Sequence, residues 1–507
     1  MINGFATKEG TQKWAEQYDS LEYRDLNSTG LMVSQAGFGS YRVDLNDIHL
    51  SALSKALRAG VNLIDTSSNY SDGGSEELVG EAMQKLIESG DIRRDQVVVV
   101  SKVGYLQGQN YELSQSRKQD GREFKELVVY SKGLEHCIHP EFLEDQLNRS
   151  LERLNMDCID VYLLHNPEYY LGWAKAGGMA LEEARKEYYR RIQQAFQYLE
   201  KEVEGRRIQY YGVSSNTFPK ESSDREFSSL EEMWGLAEGI SKDHHFRVIQ
   251  LPMNLFERGA AVQVNQPSGQ TVLRFARDKN LGVLINRPLN AIIDNKLIRL
   301  ADVEGETPVR EDKIQKFIED LIASETKFKE SLVYTLELNS EAQKQMIEYL
   351  SPGSVLINNW KNFINYTQWY EVLTQYFSPR VNSAVQFLTD MEPLPMPVSY
   401  WMETYVDSIH RVFRAIDSHY KVEAAEKADK IKRITKEADG DWSLASNLSQ
   451  MAVRALRSTE GVCSVLVGMR QDGYVDDVIS GLSEKVVVKD RMESWQRLDE
   501  TLKAESI

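Results

Sequence analysis

Read for hydrophobic and polar positions, the chain alternates short apolar runs with amphipathic stretches of helical period. The runs are 35–40 (QAGFGS), 61–66 (VNLIDT), 97–102 (VVVVSK), 158–164 (CIDVYLL), 208–214 (IQYYGVS), 247–252 (RVIQLP), 282–286 (GVLIN) and 463–468 (CSVLVG). Several are apolar at successive positions, the pattern of parallel strands covered on both faces. Between them, residues 46–59 open on Asn46–Asp47 as a capping pair, carry Leu50, Leu53 and Leu57 on one face and stop at Gly60. Residues 75–87, with Ser75 as cap, repeat the device with Leu78, Val79, Ala82, Met83 and Leu86. The stretch 141–154 does so with Leu143, Leu147, Leu151 and Leu154, and 446–457 is helical again. Eight strands alternating with helices predict an α/β fold, a (β/α)8 TIM barrel; an open parallel sheet shares the pattern.

The alternation breaks once. Between Asn286 and Cys463 the chain runs far beyond what one crossover requires, with helical patterns at 312–323, 340–350 and 400–419. The aromatics Trp360, Tyr366, Trp369, Tyr370, Tyr376, Tyr400, Trp401 and Tyr405 cluster there and read as a small hydrophobic core. The expected organisation is therefore barrel strands one to seven with an N-terminal extension over 1–290. A mainly helical insertion follows over 291–440, between strands seven and eight, then the eighth strand and C-terminal helices over 441–507. A shorter extension, 104–139, follows the third strand.

Composition adds exclusions. With 41% hydrophobic and 27% charged residues the chain is an ordinary globular one, and no apolar run approaches membrane-spanning length. The polar first residues and three scattered cysteines (Cys137, Cys158, Cys463) point to a cytoplasmic protein with free thiols. A net charge of −17 argues against nucleic acid as the main partner. No feature of the pattern specifies an oligomer.

In a barrel of this kind chemistry sits at the C-terminal ends of the strands. Asp65 closes the second strand, Tyr70 follows five residues on, Lys102 closes the third and His165 the fourth. Taken singly these are a capping Asp, a surface Tyr, a solvated Lys and a core His. Taken together they form a proton-transfer set. Reducing a carbonyl by hydride requires a proton for the developing alkoxide, which a phenol supplies if its pKa is lowered from ~10. A cationic Lys stabilises the phenolate, Asp holds the Lys, and a neutral His orients the substrate oxygen.

Here the sequence resembles the aldo-keto reductase family. The segments that carry the likeness include ALRAGVNLIDTSSNYSDGGSEELVGEAM (56–83), VVVVSKVGY (97–105), SLERLNMDCIDVYLLHNPE (150–168), IQYYGVSSNTF (208–218) and ALRSTEGVCSVLVGMR (455–470). The resemblance implies an NAD(P)H-dependent oxidoreductase acting on a small carbonyl or alcohol, with Asp65, Tyr70, Lys102 and His165 as its catalytic tetrad. It also implies a dinucleotide site built without a Gly-rich Rossmann loop. Gly39, Ser40 and Tyr41 match the turn near the nicotinamide ribose. Ser214, with Ser215 or Asn216, and Gln250 match the carboxamide contacts, alongside the catalytic Asp65. Arg287, Pro288, Leu289 and Ala291 match the loop under the pyrophosphate. Gly468, Met469, Arg470 and Tyr474 match the adenosine end.

The chain departs from the family at strand seven, where Asn286 replaces an aromatic residue that stacks on the nicotinamide, and at Tyr474 and Val478 in the adenine region. Arg470 stands where a basic residue meets a 2′-phosphate, which favours NADP(H) over NAD(H). A non-catalytic, dinucleotide-binding regulatory protein of the same fold is the alternative. His136, Cys137 and His139 are spaced too tightly for a tetrahedral zinc set, so no metal is expected, and they read as a loop over the substrate mouth. The pair His244–His245 is assigned no role.

Overall fold

The computed structural model describes residues 1–293, 296–305 and 307–505. Eight parallel strands close a barrel: β1 (Ala36–Gly39), β2 (Leu63–Asp65), β3 (Val98–Val103), β4 (Ile159–His165), β5 (Ile208–Ser214), β6 (Phe246–Pro252), β7 (Gly282–Asn286) and β8 (Ser464–Val467), with β8 pairing back onto β1. Each falls on one of the expected apolar runs. Every residue of β3 and β4 is buried, because one face fills the barrel and the other meets the helices. Leu63, Val98, Val100, Val161, Leu163, Val248, Leu284 and Leu466 share one cluster inside it.

That cluster also takes in Leu26, Leu31 and Val33 from an antiparallel hairpin, Tyr23–Asp25 with Met32–Ser34. No strand was expected there, since three-residue strands are too short to display a period of two.

The helix α1 (Asp47–Arg58) starts as its sequence implies: the Asn46 side chain accepts from the His49 amide at 3.0 Å. The helix α2 (Gly74–Glu88) does not. Its cap is Gly73, at φ 98°, and Ser75 lies inside, its hydroxyl on Ser40 Oγ at 2.7 Å and Thr66 Oγ1 at 2.8 Å. A hydroxyl that finds better partners on neighbouring strands is lost to capping.

The extension after β3 is also not a loop. Tyr105–Leu106, Val128–Ser131 and Leu134–His136 form a three-stranded antiparallel sheet beside α3 (Gly108–Gln119). His136 belongs to that sheet, the Cys137 thiol faces the Lys125 carbonyl at 3.4 Å, and His139 caps α4 (Pro140–Leu154). Among the described residues no group of His, Cys, Asp and Glu could hold a metal ion.

The chain divides into two compact units: Met1–Ala291 with the chain from Ile434 on, and Ile292–Arg433. The second unit is helical over Glu311–Glu330, Ser340–Tyr349, Pro352–Asn359, Tyr366–Val372 and Ser378–Thr389, and into the helix Met396–Ala438. Trp360, Trp369, Trp401 and Tyr405 are in its core with Ile314, Ile318 and Phe328. Tyr370, Tyr376 and Tyr400 are not, because their helix faces turn to solvent. No helix among the described residues is long and apolar enough to cross a membrane.

Candidate active site

The ends of adjacent strands bring four expected residues together. Lys102, buried on β3, donates to Asp65 Oδ2 at 2.8 Å, to the Thr66 carbonyl at 2.8 Å and to the Tyr70 hydroxyl at 3.2 Å. Asp65 accepts on its other oxygen from Gln250 Nε2 at 2.7 Å. The His165 ring lies edge-on to Tyr70 with centroids 6.0 Å apart. Tyr70 reaches the site from the turn after β2, where Ser71 and Asp72 take left-handed backbone angles (φ 48° and 54°). Ser71 Oγ ties this strained turn to the Val43 carbonyl at 2.7 Å.

The electrostatics of the four follow from burial and pairing. Burial opposes the charge on Lys102, but Asp65 and Tyr70 outweigh it and move its pKa up, so the ammonium stays charged. Burial pushes the Tyr70 phenol up, against the opposing pull of Lys102. This corrects the expectation of a lowered phenol: within the chain alone desolvation exceeds the cation's effect, so Tyr70 is held as a neutral O–H donor. Burial first, then Lys102 and His136, hold His165 well below the usual imidazole range, so its ring is neutral.

The expected cofactor residues separate into groups. Ser214 Oγ donates to Gln250 Oε1 at 3.2 Å, and Asn286 Nδ2 donates to the same oxygen at 3.2 Å. Gln250 is thus committed inside the protein, bridging Asp65 to β5 and β7. Of the serine–asparagine run, Ser214 faces this cluster. Ser215 Oγ turns to Thr217 Oγ1 at 3.1 Å, and Asn216 is exposed, with its amide on Glu168 Oε1 at 2.8 Å. At β1, Ser40 is fixed by Asp65 (Oγ to the carbonyl, 2.8 Å), Gly39 ends the strand, and Tyr41 is exposed and edge-on to Tyr70 at 5.4 Å. Arg287 follows β7 at φ 53° and pairs with Glu257 at 2.7 Å; Pro288 and Ala291 are buried and Leu289 half-buried. Past β8, Gly468 is exposed, Met469 buried, Arg470 half-buried and Tyr474 exposed on the helix Asp472–Ser483.

A nicotinamide fits this end of the barrel on one direct observation. Asn286 Oδ1 is buried without a hydrogen-bond partner, an acceptor that a carboxamide N–H would satisfy. A side-chain amide with an unpaired acceptor thus stands at the strand end where the resemblance implies an aromatic residue.

Sequence reasoning missed residues that support His165. Ser67 Oγ lies 3.1 Å from its Nδ1, His136 Nε2 donates to its carbonyl at 2.7 Å, and Tyr105 packs edge-on at 4.8 Å. The doublet of serines after Asp65–Thr66 carried no periodic signal, and His136 is separated from its partner by a whole crossover.

A closed parallel barrel with this tetrad at its strand ends coincides with a match to the sequence profile of the aldo/keto reductase family over residues 37–344. The chain belongs to that family. The NADH-specific methylglyoxal reductase of Escherichia coli (strain K12) is 32% identical over 149 residues, 28% of this chain and 40% of that protein. A probable voltage-gated potassium channel subunit beta of Oryza sativa subsp. japonica is 32% identical over 153 residues, 29% of this chain and 38% of its own. The chain thus spans less than half the length of these two relatives. Among solved structures, the glycerol dehydrogenase AKR11B4 from Gluconobacter oxydans aligns with a TM-score of 0.46 at 15% identity, covering 95% of each chain.

Proposed function

We propose that this aldo/keto reductase is an NADP(H)-dependent oxidoreductase interconverting a small carbonyl compound, an aldehyde, ketone or sugar-like molecule, and its alcohol. The observation that carries the reading is the contact of Lys102 with both Asp65 and Tyr70, beside a neutral His165. A hydroxyl proton donor, a cation that stabilises the phenolate left behind, and a neutral imidazole for the substrate oxygen are what alkoxide protonation requires. In the reducing direction the Tyr70 O–H gives its proton to the substrate oxygen, and the Lys102 ammonium stabilises the phenolate left behind. The oxidising direction reverses the transfer.

The dinucleotide, when bound, supplies or accepts the hydride. Ser214 and Asn286 are the side chains we assign to the carboxamide, Gly39, Ser40 and Tyr41 to the ribose, residues 287–291 to the pyrophosphate and residues 468–474 to the adenosine. Gln250 acts beneath them by holding Asp65. Arg470 is the basic residue assigned to the 2′-phosphate.

Titration of the purified protein with NADPH and NADH, read by Trp fluorescence, tests this first. Tighter binding of NADPH, with the preference lost in Arg470→Ala, is expected. A Tyr70→Phe variant should bind nucleotide as the parent does while its kcat falls about 10²–10⁴-fold. Retained turnover would remove Tyr70 from its role. The likeness to a channel beta subunit supports a second reading, a dinucleotide-binding regulatory protein. Tight NADPH binding with no turnover across carbonyls and alcohols would select it.

A further inference from the structure

The Ser67 hydroxyl beside His165 Nδ1 belongs to a longer chain of hydrogen bonds. Ser67 Oγ donates to Asn69 Oδ1 at 2.7 Å, and Asn69 Nδ2 donates to Gln107 Oε1 at 3.1 Å. Gln107 is the last residue before α3, in the extension that follows β3. Its position is fixed by a second tie. The Asp72 carboxylate accepts from the Gln109 amide at 3.0 and 3.2 Å, and Gly108, at φ 50°, passes so close that a Cβ there would collide with that carboxylate. Both ends of the chain are anchored: one on the catalytic histidine, the other on the turn that carries Tyr70.

A hydroxyl has one hydrogen. While Ser67 gives it to Asn69, its contact with His165 is made by a hydrogen on Nδ1, and Nε2, the ring nitrogen left for substrate, carries a lone pair. If both amides turn over, Gln107 donates to Asn69, Asn69 to Ser67, and Ser67 to Nδ1; Nε2 then carries the hydrogen. A neutral imidazole must take one form or the other, and which nitrogen is protonated is set by the bond the other makes. A lone pair at Nε2 receives an alcohol O–H and repels a carbonyl oxygen. A hydrogen at Nε2 donates to the oxygen of either, carbonyl or alcohol, and leaves the alcohol's own proton free for Tyr70.

We propose that Gln107, Asn69 and Ser67 are positioning residues that set the tautomer of His165, with Gln107 controlling the polarity of the chain from the extension. The orientation of the two amides corresponds to the Nδ1–H form, and reversing them gives the Nε2–H form, the one that donates to the substrate oxygen in both directions. This rests on the reading that His165 meets the substrate oxygen. It concerns a proton position, however, that is observable without turnover.

The test uses 15N-histidine NMR on the full-length protein, with the His165 resonances assigned by loss in His165→Asn. Gln107→Glu presents only acceptors to Asn69 Nδ2 and should hold His165 as Nδ1–H. Gln107→Lys presents only donors, should turn the Asn69 amide over, and should move the Nδ1 and Nε2 shifts in opposite senses to the Glu variant. Ser67→Ala should leave a mixture. In kinetics, kcat in both the carbonyl-reducing and the alcohol-oxidising direction should be at least ~10-fold higher in Gln107→Lys than in Gln107→Glu, with nucleotide Kd unchanged. Identical tautomers in the Glu and Lys variants, or a Ser67→Ala spectrum matching the parent, overturns the proposal. If the shifts respond as expected but no substrate is turned over by any form, the relay stands and the oxidoreductase reading fails.

Discussion

Lys102 Nζ lies inside the barrel wall and makes three hydrogen bonds, two of them to groups that gain from its charge. Truncating one partner of a buried ion pair leaves the other uncompensated, which costs about 3–5 kcal/mol. Lys102→Met should therefore lower the stability of the barrel unit by that order in urea denaturation. Adding Asp65→Asn should recover part of the loss, because the stranded carboxylate is gone. If the double variant is as unstable as the single, packing rather than charge holds the site. The same residues set the pH profile. With the Tyr70 phenol pushed up and His165 pushed down, neither titrates near neutrality. The carbonyl-reducing kcat should be flat across the neutral range and fall only on the alkaline side, as Tyr70 loses its proton. An inflection near pH 6.5 would show a His165 that ionises. The four residues were legible as a group because residue types at strand ends are local facts. The sign of the phenol's shift was not, because it depends on how completely the fold removes water.

At the scale of elements, the sheet after β3 is tied to strand β4 through His136, whose Nε2 donates to the His165 carbonyl. Burial lowers the His136 pKa to about 4, from the ~6.5 of a free imidazole. Between those values the unfolded chain takes up a proton that the folded protein refuses. The group's contribution is thus intact above pH 6.5 and lost as pH falls toward 4, to a total of about 3 kcal/mol. His136→Gln keeps an N–H for the His165 carbonyl and does not titrate. Its stability should fall less between pH 7 and 4 than the parent's, as read by denaturant unfolding at each pH; equal slopes would place the titration elsewhere. The boundaries of β3, β4 and β5 were legible because continuous apolar runs report burial on both faces. The hairpin 23–34 and the sheet within 104–139 were not, since their strands are short and their partners non-local.

For the whole molecule, the barrel and the unit Ile292–Arg433 each have an apolar core of their own. In the second, Trp401 stacks between Phe328 (4.5 Å) and Tyr405 (4.7 Å), and its indole N–H reaches the Ser324 carbonyl at 2.9 Å. Trp401→Ala should cost that unit about 3–5 kcal/mol. In calorimetry one transition should move down while the other stays. A single transition shifting as a whole would show that the two unfold together.

By itself the sequence determined the barrel, the interruption of its alternation between β7 and β8, and the identity of the four central residues. Hydrophobic period, strand-end position and residue chemistry are written along the chain, and they survive without knowledge of partners. The tertiary structure decided what those residues touch. It gave Gln250 to Asp65, turned Ser215 and Asn216 away from Ser214, kept Tyr70 protonated and placed Ser67, Asn69 and Gln107 in line with His165. Each of these depends on hydrogen bonds between segments distant in sequence and on the exclusion of water. Directional contacts and desolvation exist only once the chain has closed on itself.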